Sequence, residues 1–125
     1  MASSEAKLEL PVTPKAARIA REFVRRKFSG IGDEALDRVT LCVSELVTNA
    51  LDHAAPPYEL RVGQTPDRLR VEVADASTGR PTLESIPSPS TSSRGRGMLI
   101  VSQAATTWGV ILGRHGKTVW AEIAS

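Results

Sequence analysis

The sequence has a single cysteine, Cys42, so no internal disulfide bond can form, and its two histidines lie too far apart for zinc spacing. No run approaches the roughly 18 consecutive apolar residues that a membrane span needs. Residues 1–7 lack the basic start and the apolar stretch of a secretory signal. These absences predict a fold held together by packing alone, no membrane association and a cytoplasmic location.

The composition predicts one globular domain covering residues 1–125. Of the 125 residues, 41% are hydrophobic and 24% are charged, which is enough for one real core and too little for two. The net charge of +2 is compatible with an acidic partner or ligand and does not require nucleic acid.

The first third of the chain predicts a strand and a helix. Residues 7–12 alternate between polar and apolar, which predicts a short edge or interface strand ending near Pro11. Thr13 as N-cap and Pro14 at the first helical position begin a helix that Ser29 and Gly30 end. Its outer face carries a basic stripe, namely Lys15, Arg18, Arg21, Arg25 and Arg26. Because no aromatic residue interleaves this stripe, a solvated surface is favoured over a nucleic-acid site.

A second helix is predicted from Asp33 to about Ala54, where the two prolines that follow end it. Glu45, Asn49 and His53 are spaced by four residues, so successive side chains advance only about 40° around the helix axis. A carboxylate, an amide and an imidazole therefore share one face, although a solvated helix face also produces this pattern. Cys42 is interpreted as a packing residue.

The second half of the chain predicts two hairpins that flank a long segment and a short helix. Residues 58–64 and 69–75 alternate as a hairpin ending on Asp75, which fits a ligand acceptor and a local turn equally well. Residues 77–93 lack periodicity, as in a lid, a binding loop or a disordered insert. Residues 94–97 place glycines and two arginines at a helix start, which predicts an anion site suited to phosphate. Residues 108–123 predict the final hairpin.

Three common motifs are excluded by spacing and context. Gly116-Lys117-Thr118 is not a P-loop because Ile111 stands where the first glycine belongs and a strand follows instead of a helix. Gly95 and Gly97 lack the third glycine of a dinucleotide fingerprint. No G-x-S-x-G elbow occurs.

The ordered motifs resemble those of the GHKL (histidine kinase-like) ATPases. Residues 45–50 are similar to the N box, residues 73–75 to the aspartate of the first glycine box, residues 95–98 to the second box and residues 116–118 to the last. The pattern is most similar to single-domain anti-sigma-factor serine kinases and related ATP-binding regulatory proteins. The resemblance implies an α/β two-layer sandwich, with a mixed, mostly antiparallel sheet, helices on one face and an ATP lid at about residues 77–97.

The resemblance also implies site roles. Glu45 would be the general base, Asn49 would bind Mg²⁺, and Asp75 would accept the amino group of adenine with help from Thr118. For His53 a ligand contact and a structural hydrogen bond both stay open. The nucleotide phosphates would be wrapped by the second box and the arginine before it, which are Arg94, Gly95, Arg96, Gly97 and Met98.

Two functions follow as hypotheses. The first is an ATP- and Mg²⁺-dependent protein serine kinase that phosphorylates an anti-anti-sigma-type regulatory protein and sequesters a sigma factor, as a homodimer formed through the N-terminal strand and first helix and without direct contact to nucleic acid. The alternative is an ATP-binding, partner-binding module with little or no phosphoryl transfer. Residues 75–81 depart from the fuller Asp-x-Gly-x-Gly form of the first glycine box, since only Gly79 is present. That departure bears on the lid hinge and on nucleotide affinity, and not on the fold.

Overall fold

The structure is a computed structural model that describes residues 4–77 and 96–125. Five strands and three helices make up this part of the chain. In chain order they are β1 (Ser4–Leu10), α1 (Ala16–Lys27), α2 (Asp33–His53), β2 (Tyr58–Thr65), β3 (Arg68–Asp75), α3 (Arg96–Ala104), β4 (Thr107–Leu112) and β5 (Lys117–Ala124).

The strands form one sheet in the order β1-β2-β3-β5-β4, and each described pairing is antiparallel. The predicted two-layer α/β sandwich is confirmed, with β1 at one edge as expected. Strands β2 and β3 pair as a hairpin from Glu59 opposite Ala74 to Thr65 opposite Arg68. Strand β5 then pairs with β3, although α3 and β4 lie between them in the sequence.

The core lies between one face of the sheet and the helices. Alternation along the strands sends every second side chain to this face, so Leu60, Val71 and Ile123 are buried. Helix α2 covers the sheet with an apolar stripe at helical spacing, namely Val39, Val43, Leu46, Val47 and Ala50. Burying each of the larger aliphatic side chains stabilises the fold by roughly 1.5–3 kcal/mol before chain entropy is counted.

The opposite face of the sheet carries a ladder of arginines and carboxylates. Arg70 donates to Glu72 at 2.6 Å and to Glu122 at 2.9 Å, and its guanidinium lies 4.4 Å from the centre of the Trp120 ring. Gly109 faces that ring across the β4–β5 pair, where a Cβ atom would lie only 3.0 Å from ring atoms. These contacts join β3 to β5 on the side away from the helices.

The first helix begins later than predicted. It starts at Ala16 with Lys15 as N-cap, and Thr13 instead accepts a hydrogen bond from the backbone N–H of Lys15 at 3.2 Å. Thr13 and Pro14 therefore form a turn before the helix, because the Ala16 N–H bonds the Thr13 carbonyl oxygen and closes a four-residue turn, 13–16. Strand β1, in contrast, begins earlier than predicted, at Ser4, and ends at Leu10, before Pro11.

Helix α2 agrees with its prediction and ends at His53. The Pro56–Pro57 peptide bond that follows is cis. Among the described helices, none combines the length and the apolar content needed to cross a membrane.

Candidate functional site

Helix α2 carries the predicted polar stripe along one side of its buried face. Glu45, Asn49 and His53 are all half-buried, and each is followed directly in the sequence by a buried or half-buried apolar residue. Because the helix is continuous from Asp33 to His53, the three side chains lie on one face as predicted. The stripe is therefore neither part of the core nor fully solvated.

The turn that carries Glu45 is fixed by its neighbours. Arg21 of α1 donates a hydrogen bond to the Ser44 hydroxyl at 2.9 Å, and the Thr48 hydroxyl donates to the Ser44 carbonyl oxygen at 2.9 Å. Arg21 was expected on a solvated face, but it is half-buried because its guanidinium reaches across to α2. The hydrogen bond from α1 thus holds α2 in place one residue before Glu45.

Asp75 ends β3 and is buried, with its side chain 1% exposed. Its Oδ1 accepts a hydrogen bond from the Ser77 backbone N–H at 2.7 Å, so part of its role is the local turn. Its Oδ2 lies 3.2 Å from the Lys117 ammonium. The Asp75 carboxylate is therefore held by the turn on one oxygen and by a cation on the other.

Hydrogen bonds tie the turn after Asp75 to the end of α2. The Ala76 N–H donates to the Ala55 carbonyl oxygen at 2.9 Å, and the Ala55 N–H donates to the Ser77 hydroxyl at 3.0 Å. Residues 54–55 directly follow His53. The structure thus brings the Asp75 turn to the C-terminal end of the helix that carries the polar stripe.

Tyr58 is a neighbour that sequence reasoning missed. Its hydroxyl donates to the Ala54 carbonyl oxygen at 2.9 Å. Burial raises the pKa of Tyr58, and the negative charge of Asp75 raises that pKa further. Tyr58 therefore lies within electrostatic range of Asp75 and keeps its proton near neutral pH.

Thr118 does not share a face with Asp75. It pairs with Ala74, while Lys117 pairs with Asp75, and the buried positions of β5 are 117, 119, 121 and 123. Thr118 therefore points to the side away from the helices. The alternation of residues 118–123, extended back by one position, would have assigned Lys117 to the buried face.

Gly116 allows the final turn to approach the end of β3. A Cβ atom on Gly116 would collide with the Asp75 carbonyl oxygen. Only glycine fits such a backbone approach without displacement. The residue just before Lys117 is therefore part of the arrangement that brings the ammonium to the carboxylate.

The predicted phosphate end of the site is described only in part. Arg94 and Gly95 lie outside the described residues, together with most of the predicted lid at 77–97. Helix α3 begins at Arg96 and includes Gly97 and Met98 in its backbone. It packs against α2 and against β4.

The polar side chains of α2 suit a metal ion that is bound by protein and phosphate oxygens together better than one that is bound by protein side chains alone. Within residues 4–77 and 96–125, no three His, Cys, Asp or Glu side chains are grouped as metal ligands. Mg²⁺ commonly takes one or two protein oxygens and completes its shell with phosphate oxygens and water. The half-buried amide of Asn49 can supply one such oxygen, so the residues present fit ATP with Mg²⁺.

Comparison with known proteins identifies the fold and the family of the chain. No curated protein matches the sequence. Among solved structures, the chain is similar to the crystal structure of the RsbU and RsbW domains of Rv1364c from Mycobacterium tuberculosis, with 17% sequence identity and a TM-score of 0.72. That match covers 96% of this chain and 32% of the other, and it shows a shared fold. The model of the histidine kinase-like ATPase domain matches residues 5–123, and the chain therefore belongs to that family.

Proposed function

We propose that the chain is an ATP- and Mg²⁺-dependent protein serine kinase of the anti-sigma-factor type. The observation that carries this proposal is the pairing of Glu45 and Asn49 on one face of α2, whose far end is hydrogen-bonded to the Asp75 turn. A carboxylate base and a metal-binding amide thus lie on the same helix that approaches the proposed adenine anchor. The substrate would be a regulatory partner protein of the anti-anti-sigma type, and a sigma factor would be sequestered.

Each residue has a distinct task in this proposal. Glu45 accepts the proton from the attacking serine hydroxyl of the partner, and Asp75 accepts a hydrogen bond from the adenine amino group. Asn49 offers its amide oxygen to Mg²⁺, which when bound neutralises charge on the phosphates. The second-box residues Gly95, Arg96, Gly97 and Met98, with Arg94, contact the phosphates, and His53 keeps the two roles that the resemblance leaves open. Thr118 points away from Asp75 and therefore has no part in the proposed adenine contact.

One observation favours the alternative of an ATP-binding regulatory module with little or no phosphoryl transfer. Gly79 alone remains of the first-box glycines, so the hinge of the lid that would close over the phosphates departs from the fuller pattern. Such a site would bind nucleotide and a partner protein without needing a base. The test must therefore separate binding from transfer.

A substitution at Glu45 separates ATP binding from phosphoryl transfer. Partner proteins that co-purify with the chain would be identified by mass spectrometry and incubated with ATP labelled at the γ-phosphate. Glu45→Gln should lower transfer to the partner by about 10²–10⁴-fold, because general base catalysis contributes that much. Its ATP affinity, measured by calorimetry with Mg²⁺, should stay within a few-fold of wild type.

Glu34→Gln serves as the matched control, because it makes the same substitution on the same helix at a carboxylate whose side chain is 88% exposed. It should leave transfer unchanged. Full transfer by Glu45→Gln would remove Glu45 from the role of base, and absent transfer by wild type with ATP binding intact would favour the alternative. No ATP binding up to millimolar concentration would overturn both functions.

A further inference from the structure

Lys117 and Asp75 form an enclosed ion pair at the paired ends of β5 and β3. The two residues are register partners on the helix-facing side of the sheet. Their side chains are 4% and 1% exposed, and the Lys117 Nζ lies 3.2 Å from the Asp75 Oδ2. Any group that hydrogen-bonds this carboxylate must therefore approach the ammonium as well.

The ammonium has unused hydrogen-bonding capacity. Although Nζ is close to Asp75, the contact does not have the alignment of a hydrogen bond, and Nζ is the one buried side-chain polar atom without a hydrogen-bond partner among the described residues. A lysine ammonium carries three donors and no acceptor. A buried donor without an acceptor is unfavourable, so this position favours a ligand that brings an acceptor.

We propose that Lys117 is a base-contacting residue that determines specificity for adenine. This inference rests on the proposed binding of ATP with the adenine amino group on Asp75. In adenine the ring nitrogen N1, a hydrogen-bond acceptor, is bonded to the carbon that carries the amino group. With the amino group donating to Asp75, N1 faces the neighbouring Lys117 ammonium, which donates to it.

The same pair disfavours guanine in that orientation. Guanine has a carbonyl oxygen where adenine has the amino group, and its N1 carries a hydrogen. Asp75 would then face an acceptor and Lys117 would face a donor, so both contacts would be repulsive. Thr118 cannot replace Lys117 in this contact because it points to the opposite face of the sheet.

The test compares ATP with 1-deaza-ATP, in which N1 is replaced by C–H, binding to the full chain in calorimetry. Wild type should bind 1-deaza-ATP about tenfold more weakly than ATP, as expected for one lost charge-assisted hydrogen bond, and GTP more weakly still. Lys117→Met should bind ATP about tenfold more weakly than wild type. It should no longer distinguish ATP from 1-deaza-ATP, because the partner of N1 is gone.

Lys7→Met is the matched control, since Lys7 is an exposed lysine on β1. It should keep the wild-type affinities and the wild-type ratio. Circular dichroism would establish that each variant is folded. If Lys117→Met fails to fold, Lys117→Arg, which keeps the buried cation, and the wild-type comparison of the two nucleotides still decide the matter.

The outcomes separate this inference from the proposed function. Equal affinity of wild type for ATP and 1-deaza-ATP would overturn the role of Lys117 while leaving ATP binding intact. Tighter ATP binding by Lys117→Met would also overturn it, and would show that Lys117 blocks Asp75 instead of reading the base. Absent binding of every nucleotide by folded wild type would overturn the proposed function itself.

Discussion

Cys42 lies on the buried face of α2, one helical turn before Glu45, and is fully enclosed in the core. Burial raises the pKa of its thiol from 9.0 to about 11. The positive charge of Arg38 opposes this shift, and the negative charge of Glu45 adds to it. The thiol is thus a packing residue, as predicted, and its neighbourhood keeps it protonated.

We therefore expect native Cys42 to resist alkylation. At pH 8 its reaction with iodoacetamide should be at least about a hundredfold slower than that of the same chain unfolded in urea, because the thiolate is the reactive species. Intact-mass spectrometry of quenched time points measures both rates. Since the folded pKa is raised, the stability that the buried thiol contributes is present below the unfolded pKa and is lost as pH rises toward 11. Native modification at the unfolded rate would contradict this interpretation.

The residues of the site differ in how far sequence could predict them. Glu45, Asn49 and His53 follow from helical periodicity, which is local, and the structure places them on one face. Lys117 and Tyr58 were missed because their importance arises only when strand register sets them beside Asp75. Register is a property of strand pairs, and one sequence segment does not contain it.

At the scale of the elements, two glycines before α2 differ in backbone conformation. Gly32 precedes α2 in an extended conformation, with φ of −72° and ψ of 161°, and no side chain caps the helix. Gly30 lies two residues earlier with φ of 69°, in the left-handed region. At both positions a Cβ atom would meet nothing within 4 Å, so space does not distinguish them.

Serine at these two positions should have opposite effects. Gly32→Ser adds a capping hydroxyl at an N-cap whose conformation already suits it, and should raise the free energy of unfolding by a few tenths to about 1 kcal/mol. Gly30→Ser should lower it by about 1 kcal/mol, because side chains disfavour positive φ. Urea unfolding followed by circular dichroism measures both. Equal changes of the same sign would show that backbone conformation does not govern this loop.

The start of α1 illustrates the same limit on prediction. Thr13 and Pro14 have the residue types of a helix start, yet they form the preceding turn, and the helix begins at Ala16. Residue preference identifies a helix start within a few positions. The first residue is decided by which backbone groups bond each other.

At the scale of the whole molecule, an ionic ladder connects three strands on the face away from the helices. Arg61 bridges Glu59 at 2.7 Å and Glu72 at 3.4 Å, while Arg68 and Arg70 both contact Glu122, at 2.7 and 2.9 Å. The pKa of Glu122 is lowered, mainly because Arg68 donates a hydrogen bond to it. Burial opposes this shift, and Arg70 contributes a second hydrogen bond.

Glu122→Gln should therefore destabilise the fold in a pH-dependent way. A carboxyl whose folded pKa is lowered contributes stability that is present above its unfolded pKa and lost as pH falls through the folded pKa. The variant should lose about 1 kcal/mol at pH 7, and the difference from wild type should shrink below pH 4.5. Urea unfolding at pH 7 and at pH 3 measures it.

Glu34→Gln is the control for this experiment. Glu34 contacts Arg38 at 3.9 Å, but its side chain is 88% exposed, so the pair should contribute little. The control should lie within about 0.5 kcal/mol of wild type at both pH values. A loss for Glu122→Gln that is unchanged at pH 3 would indicate packing, not charge, as its cause.

The sheet order was only partly accessible from the sequence. The two hairpins follow from alternation and turn residues, and both occur. The pairing of β3 with β5 does not follow from local pattern, because residues 76–116 separate the two strands. That pairing is nevertheless what brings Asp75 and Lys117 together.

The β3–β5 pairing also determines how insertions between the two strands would affect equilibrium stability and folding rate. Its inner end joins Asp75 to Lys117, so residues 76–116 form a loop closed by the strand ladder. The entropy lost on closing a flexible loop grows only with the logarithm of its length, by about 0.6 kcal/mol for each doubling. Insertions between the elements of this loop therefore cost little equilibrium stability. Non-local strand pairing slows folding, so we expect insertions in this segment to lower the folding rate more than the equilibrium stability.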